Sequence, residues 1–307
     1  MKILVTGCGG QLGQAVMDSS HGGEHEFIFT ARAPELLSGG DRPEEVASGR
    51  PAVLPLDITD REAVADMLGA NDIDLILNCA GYTDVARAET EPEKARKINS
   101  EAVACLAEAA RDNDALLIHI STDYIFDGKS SVPYTEEDVP LPVSEYGRSK
   151  IEGERAVMDS GCRYLIIRTS WLFSRYGHNF LKTILKKSAE QPSLTVVADQ
   201  TGTPTYAPDL VDAIFHVING NMTDRTGIYN YTCEGVCSWY EFAKEICAVA
   251  GRKCDVVPCR TEDYPSNVKR PRYSVLDKRK FKETFGVEIS HWKDSVSVCV
   301  SEIEKFG

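Results

Sequence analysis

A tyrosine and a lysine four residues apart are the pair in this chain best suited to catalysis. They lie in the segment Tyr146-Gly147-Arg148-Ser149-Lys150. Because residues four apart share one face of a helix, the lysine ammonium can lie beside the phenol and lower its pKa from the usual value of about 10. Such a tyrosine can donate its proton to a carbonyl oxygen as hydride reaches the carbon. The pair therefore predicts a carbonyl reduction.

The spacing alone is not distinctive, because Tyr240 and Lys244 repeat it later in the chain. What distinguishes Tyr146 is Thr122, which stands 24 residues upstream at the end of an apolar stretch. A hydroxyl at the carboxyl end of a strand can hydrogen-bond a substrate carbonyl. We therefore predict a catalytic triad of Thr122, Tyr146 and Lys150, and an ordinary surface helix for the second pair.

A glycine-rich loop near the N-terminus is a second candidate site. Its residues are Gly7, Gly10, Gln11, Leu12 and Gly13. The glycine spacing differs from the usual dinucleotide fingerprint, and a plain strand-to-helix turn is the alternative. The loop follows a predicted strand and opens a helix, where backbone N–H groups and the helix N-terminus favour a pyrophosphate. We therefore predict a dinucleotide site here.

Residues that follow the next three predicted strands complete this cofactor site. Arg32 stands where NAD enzymes usually place a carboxylate on the ribose, and an arginine there can meet a 2′-phosphate. This favours NADP(H) as the cofactor, with NAD(H) as the alternative, unless Arg32 is simply a solvated loop residue. The other predicted contacts are Asp57 and Ile58 on the adenine side. The stretch from Asn78 to Tyr82 is predicted to line the nicotinamide side, with Ala80, Gly81 and Tyr82 as its contacts.

Short apolar strands alternate with helical patterns through the first half of the chain. The predicted strands are Lys2–Thr6, Glu26–Thr30, Ala52–Leu56, Leu75–Cys79, Leu116–Ile120 and Leu165–Arg168, and the clearest helix is Glu93–Ala110. This alternation predicts an α/β fold with a doubly wound parallel (Rossmann-type) sheet. We expect residues 1–170 to form the NAD(P)-binding domain. Residues 171–307 are predicted to form mainly a smaller C-terminal α/β substrate lobe, with some segments returning to the sheet.

After about residue 170 the alternation of predicted strands and helices becomes less regular. The predicted helices are Phe180–Glu190 and Asp209–Asn219, the predicted extended segments are Leu194–Ala198 and Ile228–Tyr231, and Pro258–Pro271 is predicted to be a loop. Ser238 and Glu241 form a capping box that predicts a helix continuing through Val249.

Composition and charge exclude several classes of protein. The net charge of -13 argues against a broad surface for nucleic acid or anionic membrane. Since no apolar run approaches about 20 residues, we predict no membrane span and a cytoplasmic protein. The ten cysteines lack the spacing of common zinc sites, so we predict reduced thiols and no metal.

Taken together, the motifs resemble the extended short-chain dehydrogenase/reductases, and among them the dTDP-4-dehydrorhamnose reductase family. The resemblance covers nearly the whole chain. It is carried by Thr6–Gly13, Ile120–Gly128, Tyr146–Lys150 with Glu152-Gly153-Glu154, Arg168–Trp171, Asn179-Phe180, Asp199-Gln200-x-Gly202-x-Pro204-Thr205, and Arg270-Pro271.

The resemblance implies roles for individual residues. Thr122, Tyr146 and Lys150 would be catalytic, with Lys150 also holding the nicotinamide ribose. Asp123 and Trp171 would contact the sugar together with Thr122 and Tyr146. An alternative places Trp171 in the core between the two lobes.

Three further residues receive roles from the resemblance or from their type. Asn99 matches a position that supports the catalytic lysine in many relatives and is counted with the cofactor site. Asn179 is expected to bind substrate or, alternatively, to cap the helix from Phe180. Arg270 is expected to bind the diphosphate of the substrate or, alternatively, to precede a proline turn.

The resemblance implies reduction of the 4-keto group of dTDP-4-dehydro-6-deoxy-L-mannose to dTDP-L-rhamnose, the last step of that nucleotide-sugar pathway. The implied partner is a nucleotide-sugar substrate, and a homodimer is compatible with the resemblance. Two alternatives stay open. The chain could be a catalytically silent NADP-binding regulatory subunit, or a reductase or epimerase that acts on another nucleotide-4-keto sugar.

Overall fold

A seven-stranded parallel sheet forms the centre of the protein. The computed structural model describes residues 1–20, 24–34, 51–266 and 268–306. The strands of this sheet are β1 (Lys2–Thr6), β2 (Glu26–Ala31), β3 (Val53–Pro55), β4 (Leu75–Asn78), β5 (Leu116–Thr122), β6 (Arg163–Thr169) and β11 (Gly227–Asn230). Their order across the sheet is β3-β2-β1-β4-β5-β6-β11. The predicted doubly wound parallel sheet is confirmed.

Helices cover both faces of this sheet. They are α1 (Gln11–Ser19), α2 (Arg61–Asn71), α3 (Val85–Ala88), α4 (Pro92–Arg96), α5 (Ala102–Asp112), α6 (Glu145–Asp159), α8 (Ala207–Asn219) and α10 (Arg279–Phe285). Apolar residues of α1, α8 and α10 form one core with the sheet, and those of α2, α5 and α6 form a second. Burying apolar area on both faces is what stabilises a parallel sheet and explains its nearly continuous apolar strands.

The register of the parallel strands brings polar side chains to one edge. Thr6 at the end of β1 pairs with Asn78 at the end of β4. Thr122 at the end of β5 pairs with Thr169 at the end of β6. Because all seven strands run in one direction, these carboxyl ends meet at the same edge, where open α/β sheets bind ligands.

The segment expected to be one helix from Glu93 to Ala110 is interrupted. It consists of α4, a π-helical turn at Lys97–Glu101, and α5. The turn buries Asn99, whose side chain hydrogen-bonds residues outside the helix. Widened turns of this kind often occur at functional sites. The helical prediction was right in type, and the π turn is the correction.

The later part of the chain forms a smaller α/β lobe. Its elements are β7 (Leu172–Phe173), α7 (Phe180–Glu190), β8 (Ser193–Val197), β9 (Thr201–Gly202), β10 (Thr205–Tyr206), β12 (Cys237–Ser238), α9 (Trp239–Val249), β13 (Asp255–Cys259) and α11 (Trp292–Phe306). The strands pair as β7 with β10, β9 with β12, and β8 with β13. A third core joins α7, α9 and α11. The expected loop Pro258–Pro271 begins inside β13 and includes a 3₁₀ turn at Thr261–Asp263.

Two further findings concern the described residues. None of the helices within them is both long and apolar enough to cross a membrane. The ten cysteines are free thiols, and the described residues hold no group of three or more His, Cys, Asp or Glu placed to bind a metal ion.

Candidate active site

The helix α6 carries Tyr146 and Lys150 and is held closely against its neighbours. The Ser144 hydroxyl caps it by accepting a hydrogen bond from the Gly147 N–H at 3.1 Å. A Cβ at Gly147 would collide with the Tyr124 carbonyl oxygen, and a Cβ at Gly153 with the Asn99 carbonyl oxygen. Both glycines therefore allow α6 to lie against the residues after β5 and against the π turn. This packing fixes the position of the catalytic candidates.

Thr122 and Tyr146 meet at the carboxyl end of β5. Burial raises the pKa of the Tyr146 phenol, and the Thr122 hydroxyl beside it only partly opposes that rise. The Tyr146 side chain is thus a neutral phenol at physiological pH. The Tyr124 ring packs edge-on against the Tyr146 ring, with 5.5 Å between their centres. A phenol in this environment is in the acid form that carbonyl reduction requires.

The Lys150 side chain reaches β5. Its Nζ donates to the Ile120 carbonyl oxygen at 2.6 Å and lies 3.3 Å from Nε2 of His119. Burial lowers the pKa of Lys150 to about 8, partly opposed by Glu154. Burial dominates the pKa of Tyr146 in this structure and the amine is bonded to β5, so the expectation that Lys150 lowers the pKa of Tyr146 stays a prediction.

Asp123 is a buried carboxylate beside the triad. Its Oδ1 accepts from the Thr122 hydroxyl at 3.2 Å, while Oδ2 has no hydrogen-bond partner among the described residues. Burial raises the pKa of Asp123 to about 6, and hydrogen bonding from the Ser274 and Thr122 side chains partly opposes that rise. An unsatisfied buried carboxylate oxygen is costly unless a donor reaches it, so Oδ2 is suited to accept a hydroxyl from a bound sugar.

Arg270 reaches the same group of residues from the later part of the chain. Its Nη1 donates to the Tyr124 hydroxyl at 3.0 Å. A Cβ at Gly128 would collide with Pro271, so the loop after β5 lies directly on the segment that carries Arg270. The structure therefore brings Arg270 next to the ring that packs on Tyr146. Its contact with a substrate diphosphate stays a prediction.

A buried ion pair stabilises the strand ends beneath the triad. Arg168 on β6 and Glu154 on α6 are 2% and 0% exposed, and Arg168 Nη2 lies 2.7 Å from Glu154 Oε2. Ser121 donates a further hydrogen bond to Glu154. Removing one partner of a fully buried pair would leave an uncompensated charge. The pair thus ties β5, β6 and α6 together.

The glycine loop has the geometry of a phosphate cradle. Gly7 has φ +66°, and a Cβ there would collide with Ala80, while a Cβ at Gly13 would collide with Cys8. Gly10 is the N-cap of α1 and supplies no side-chain cap. The backbone N–H groups of the first turn thus have no side-chain cap from within the loop, which suits an anionic ligand at a helix N-terminus.

The two residues between these glycines contribute differently. Leu12 is buried in the core beside the sheet. The Gln11 side chain is occupied, since Nε2 donates to the Leu172 carbonyl oxygen at 3.3 Å and Oε1 accepts from Ser174 at 3.0 Å. Only their backbone N–H groups can therefore contact a pyrophosphate. The same glutamine links α1 to the first strand of the smaller lobe.

The predicted adenine-side residues follow β2 and β3. Arg32 is exposed at the end of β2. Oδ1 of Asp57 accepts from the Thr59 N–H at 2.9 Å, and Ile58 is buried. An exposed guanidinium at this strand end can reach a 2′-phosphate, although its contact with cofactor remains a prediction.

The predicted nicotinamide-side residues follow β4 and are braced by Asn99. Asn99 Oδ1 accepts from the Tyr82 N–H at 2.8 Å, and its Nδ2 donates to the Tyr82 carbonyl oxygen at 3.0 Å and to the Ser149 hydroxyl at 3.0 Å. A Cβ at Gly81 would approach the same Oδ1, and Ala80 packs against Gly7. Asn99 thus supports the Ala80–Tyr82 loop and α6, and in this structure it bonds Ser149 rather than Lys150.

Trp171 and Asn179 lie where β6 passes into the smaller lobe. Trp171 has φ +46°, an uncommon conformation for a bulky residue, and its indole stacks on Trp239 with 3.5 Å between ring centres. Asn179 caps α7 by accepting from the Lys182 N–H at 3.0 Å, and its Nδ2 donates to Gln11 at 2.9 Å. The capping alternative for Asn179 is confirmed, and its role in substrate binding stays a prediction.

Two residues of the candidate site region were not singled out in the sequence. His119 is a buried imidazole inside β5, and Trp239 stacks on Trp171. His119 could have been noticed, because it interrupts the apolar stretch Leu116–Ile120 with a polar ring. A polar side chain in a strand that is buried on both faces needs hydrogen-bond partners. Because His119 lies three residues before Thr122, its partners are expected close to the predicted catalytic site. Nothing in the sequence pairs Trp239 with Trp171.

The parallel sheet, the glycine loop and the grouped Thr122, Tyr146 and Lys150 define a reductase of the short-chain dehydrogenase type. A family model described as the RmlD substrate binding domain matches residues 1–305. The chain is 37% identical to the dTDP-4-dehydrorhamnose reductase of Aggregatibacter actinomycetemcomitans, over 95% of this chain and 96% of that one.

Solved structures agree with this match. A dTDP-4-dehydrorhamnose reductase of Clostridium acetobutylicum superposes with a TM-score of 0.87 at 37% identity, covering 99% of this chain and 100% of that one. The Bacillus anthracis enzyme, solved in complex with NADP, superposes with a TM-score of 0.85 at 32% identity, covering 98% and 99%. The chain belongs to the dTDP-4-dehydrorhamnose reductase family.

Proposed function

We propose that this protein reduces the 4-keto group of dTDP-4-dehydro-6-deoxy-L-mannose to give dTDP-L-rhamnose, with NADP(H) as the favoured cofactor and NAD(H) as the alternative. The observation that carries the proposal is the meeting of Thr122 and the neutral Tyr146 phenol at the carboxyl end of β5, in a chain that matches the family over nearly its full length.

The residues of the glycine loop fit a dinucleotide. Gly7 lets the loop lie against Ala80 after β4, and Gly13 lets α1 lie against Cys8. The first turn of α1 presents N–H groups without a side-chain cap. These N–H groups would hold the pyrophosphate, and Arg32 would hold a 2′-phosphate. When bound, the reduced nicotinamide supplies the hydride for the substrate carbon.

The chain's own residues supply the proton and the orientation. The Thr122 hydroxyl hydrogen-bonds the carbonyl oxygen and orients it toward Tyr146. Tyr146 donates its phenolic proton to that oxygen as the ketone is reduced to a secondary alcohol. The phenolate left on Tyr146 is then reprotonated from the side of Lys150. Asp123, with one unpaired oxygen, holds a neighbouring sugar hydroxyl.

The central test is turnover with matched tyrosine variants. Purified protein, NADPH and dTDP-4-dehydro-6-deoxy-L-mannose should show loss of reduced-cofactor absorbance and formation of dTDP-L-rhamnose. Tyr146→Phe should lose about 10²–10⁴-fold in kcat, the usual contribution of a general acid. Tyr240→Phe is the control and should keep wild-type activity.

Absence of turnover by the wild-type protein would overturn the proposal, as would undiminished activity in Tyr146→Phe. NADP binding without turnover would support a silent regulatory subunit instead.

The cofactor preference can be tested at Arg32. Because a guanidinium can pair with a 2′-phosphate, Arg32→Ala should lower kcat/KM for NADPH while leaving that for NADH unchanged. Arg260→Ala, which removes an exposed arginine from the smaller lobe, is the control. An unchanged preference in Arg32→Ala would remove this residue from the cofactor site.

We also propose a division of labour along the chain, with residues 1–170 binding NAD(P) and residues 171–307 mainly binding the sugar nucleotide. The separate core of the later segment supports it. Arg32→Ala should then raise KM for cofactor alone, and Trp171→Ala should raise KM for sugar nucleotide alone.

We further propose a cytoplasmic homodimer without affinity for nucleic acid, in line with the net charge of -13. Light scattering and a nucleic-acid binding assay test these last points.

A further inference from the structure

Lys150 occupies a buried seat formed by β5. Its Nζ donates to the Ile120 carbonyl oxygen at 2.6 Å and lies 3.3 Å from Nε2 of His119. His119 is 0% exposed and Lys150 is 5% exposed. Both nitrogens are thus shielded from water, which cannot replace a hydrogen bond that fails to form between them. Whether each nitrogen carries a proton therefore depends on whether the other is a donor or an acceptor.

Asn78 has only one orientation that satisfies its neighbours. Its Oδ1 accepts from the Ala80 N–H at 3.1 Å and from the Thr6 hydroxyl at 2.7 Å. A backbone N–H can only donate, so the amide oxygen must face Ala80. The amide nitrogen of Asn78 therefore faces Nδ1 of His119, at 3.0 Å.

This orientation determines which nitrogen of His119 carries the proton. The Asn78 amide nitrogen can only donate, so Nδ1 of His119 must accept. A neutral imidazole that accepts at Nδ1 carries its hydrogen on Nε2. The Nε2–H then points at Nζ of Lys150. An ammonium has no lone pair, so it would set two donors against each other, whereas a neutral amine can accept.

We propose that His119 is a positioning residue for Lys150: with its tautomer set by Asn78, it directs its Nε2–H at Nζ, so that the buried seat accepts Lys150 as a neutral amine and disfavours the ammonium. A proton that arrives from solvent takes the Nζ lone pair, and the bond from His119 is broken. The ammonium then leaves the seat toward Tyr146. Gain of a proton by Lys150 and its movement toward the phenol are thus one event.

The surrounding charges agree with this assignment. Burial lowers the pKa of His119 well below its usual range, and the positive charge of a protonated Lys150 adds to that lowering. Burial lowers the pKa of Lys150 to about 8, so the amine is neutral above that pH and gains its proton as the pH falls through it. The other titratable groups near Lys150 are Tyr146 and Glu154 on its own helix, Asp123 after β5, and Arg168 on β6, which is paired with Glu154. The π turn contributes the uncharged Asn99.

The tautomer of His119 can be read directly by long-range ¹H–¹⁵N NMR on the full chain labelled at its six histidines. His119→Asn identifies the signals. We expect wild-type protein to show a bare Nδ1 and a protonated Nε2 across the neutral range. A proton on Nδ1, alone or together with Nε2, would overturn the proposal. His216, whose Nε2 lies 3.0 Å from the Phe285 carbonyl oxygen, is an internal reference for the Nε2–H form.

Asn78→Asp is a variant of nearly the same shape that reverses the hydrogen bond. A carboxylate oxygen in place of the amide nitrogen should accept from Nδ1, moving the proton of His119 to that nitrogen and leaving Nε2 free to accept from an ammonium. The His216 signals should stay unchanged, which also shows that the variant is folded. A wild-type tautomer in Asn78→Asp would overturn the role given to Asn78.

The kinetic consequence rests on the proposed function. In Asn78→Asp the ammonium is favoured, so the alkaline limb of the pH profile for carbonyl reduction should move upward by about one pH unit, or tenfold in rate on that limb. Asn78→Asp/His119→Phe keeps the added carboxylate without the ring nitrogens and should lose the shift. A shift that persists there is a direct charge effect and would overturn the proposal. If the wild-type protein shows the expected His119 tautomer but no turnover, that result contradicts the proposed reductase function and leaves the role of His119 intact.

Discussion

The helices α6 and α9 carry the same Tyr-x3-Lys spacing in the same place, two residues after a capping serine. Ser144 accepts from the Gly147 N–H at 3.1 Å, and Ser238 accepts from the Glu241 N–H at 3.2 Å. The local sequence is therefore not what separates a catalytic candidate from an ordinary pair. The difference lies in what each helix packs against.

The two lysines show that difference most clearly. Lys244 is exposed, and its Nζ lies 5.5 Å from the centre of the Tyr240 ring. Lys150 is buried and bonds the backbone of β5. The pair with the lysine over its own tyrosine is thus the one whose lysine stays at the surface. A lysine over the ring stabilises a surface helix slightly, whereas a buried amine facing a strand end can exchange protons.

Glycines account for much of this contrast. In α6, Gly147 follows the tyrosine directly and Gly153 comes seven residues after it, and both touch neighbouring backbone. The corresponding residues in α9 are Glu241 and Cys247. Side chains at those two places exclude the direct backbone contact that the glycines of α6 make. The close approach of α6 is what buries Lys150.

The largest expected contrast is in catalysis by lysine variants. Lys150→Met should lower kcat about 10²-fold or more, because no cation is then available to reprotonate Tyr146. Lys244→Met should stay within about twofold of wild type, since surface substitutions rarely affect a distant site. Steady-state rates with NADPH measure both. Equal losses in the two variants would remove the distinction between the helices.

The same lysine substitution should increase stability at neutral pH. With a folded-state pKa of about 8, Lys150 binds fewer protons in the folded protein than in the unfolded chain between pH 8 and about 10.4, so wild-type stability rises with pH in that window. Below it, Lys150→Met should gain roughly 2–3 kcal/mol over wild type, and the gain should fade as pH rises. Urea unfolding at neutral and alkaline pH measures this, and parallel pH slopes for the two proteins would contradict it.

The glycine contrast can be tested with matched alanine substitutions. Gly153→Ala should cost about 1–3 kcal/mol because its Cβ collides with the Asn99 carbonyl oxygen. Gly69→Ala in α2, where a Cβ would meet nothing within 4 Å, should instead stabilise by about 0.5–1 kcal/mol. Thermal or urea unfolding gives both values. A stabilising Gly153→Ala would mean that α6 is not held against the π turn.

The smallest contrast concerns the two capping serines. Ser144→Ala and Ser238→Ala should each cost about 1 kcal/mol, the usual loss for an N-cap. Only Ser144→Ala should also lower kcat, by severalfold, because fraying of α6 displaces Tyr146. Unfolding curves and turnover together separate the two effects. Comparable loss of activity in Ser238→Ala would show that α9 also supports the site.

Much of the sheet could be predicted from sequence, because strands buried on both faces are short apolar stretches bounded by turns. Lys2–Thr6 was predicted to the residue, and the other strands of the first half to within a few residues. The π turn could not be predicted, since it depends on hydrogen bonds from Asn99 to Tyr82 and Ser149, which are distant in sequence. The helix α11 was not predicted, although Trp292, Val296 and Val300 follow a helical period.

The candidate site was only partly predictable for the same reason. Spacing and strand ends pointed to Thr122, Tyr146 and Lys150, which the structure brings to one region. The direction of Lys150 depends on Ile120 and His119, and no local pattern indicates that a lysine on a helix turns toward a strand behind it. Likewise, the cap that Asn179 forms on α7 is local and was predicted, whereas its bond to Gln11 joins residues 168 apart in sequence and could not be.

The strand β11 is the last to join the central sheet, and it comes from beyond residue 226. During synthesis the ribosome releases β6 well before its outer neighbour exists, so β6 presents unpaired backbone groups in the meantime. Those groups are a template for pairing with other chains, and their long-range closure slows folding. A fragment that ends near residue 170 would keep this open edge permanently and would be prone to aggregate, so the cofactor-binding half is best produced within the whole chain.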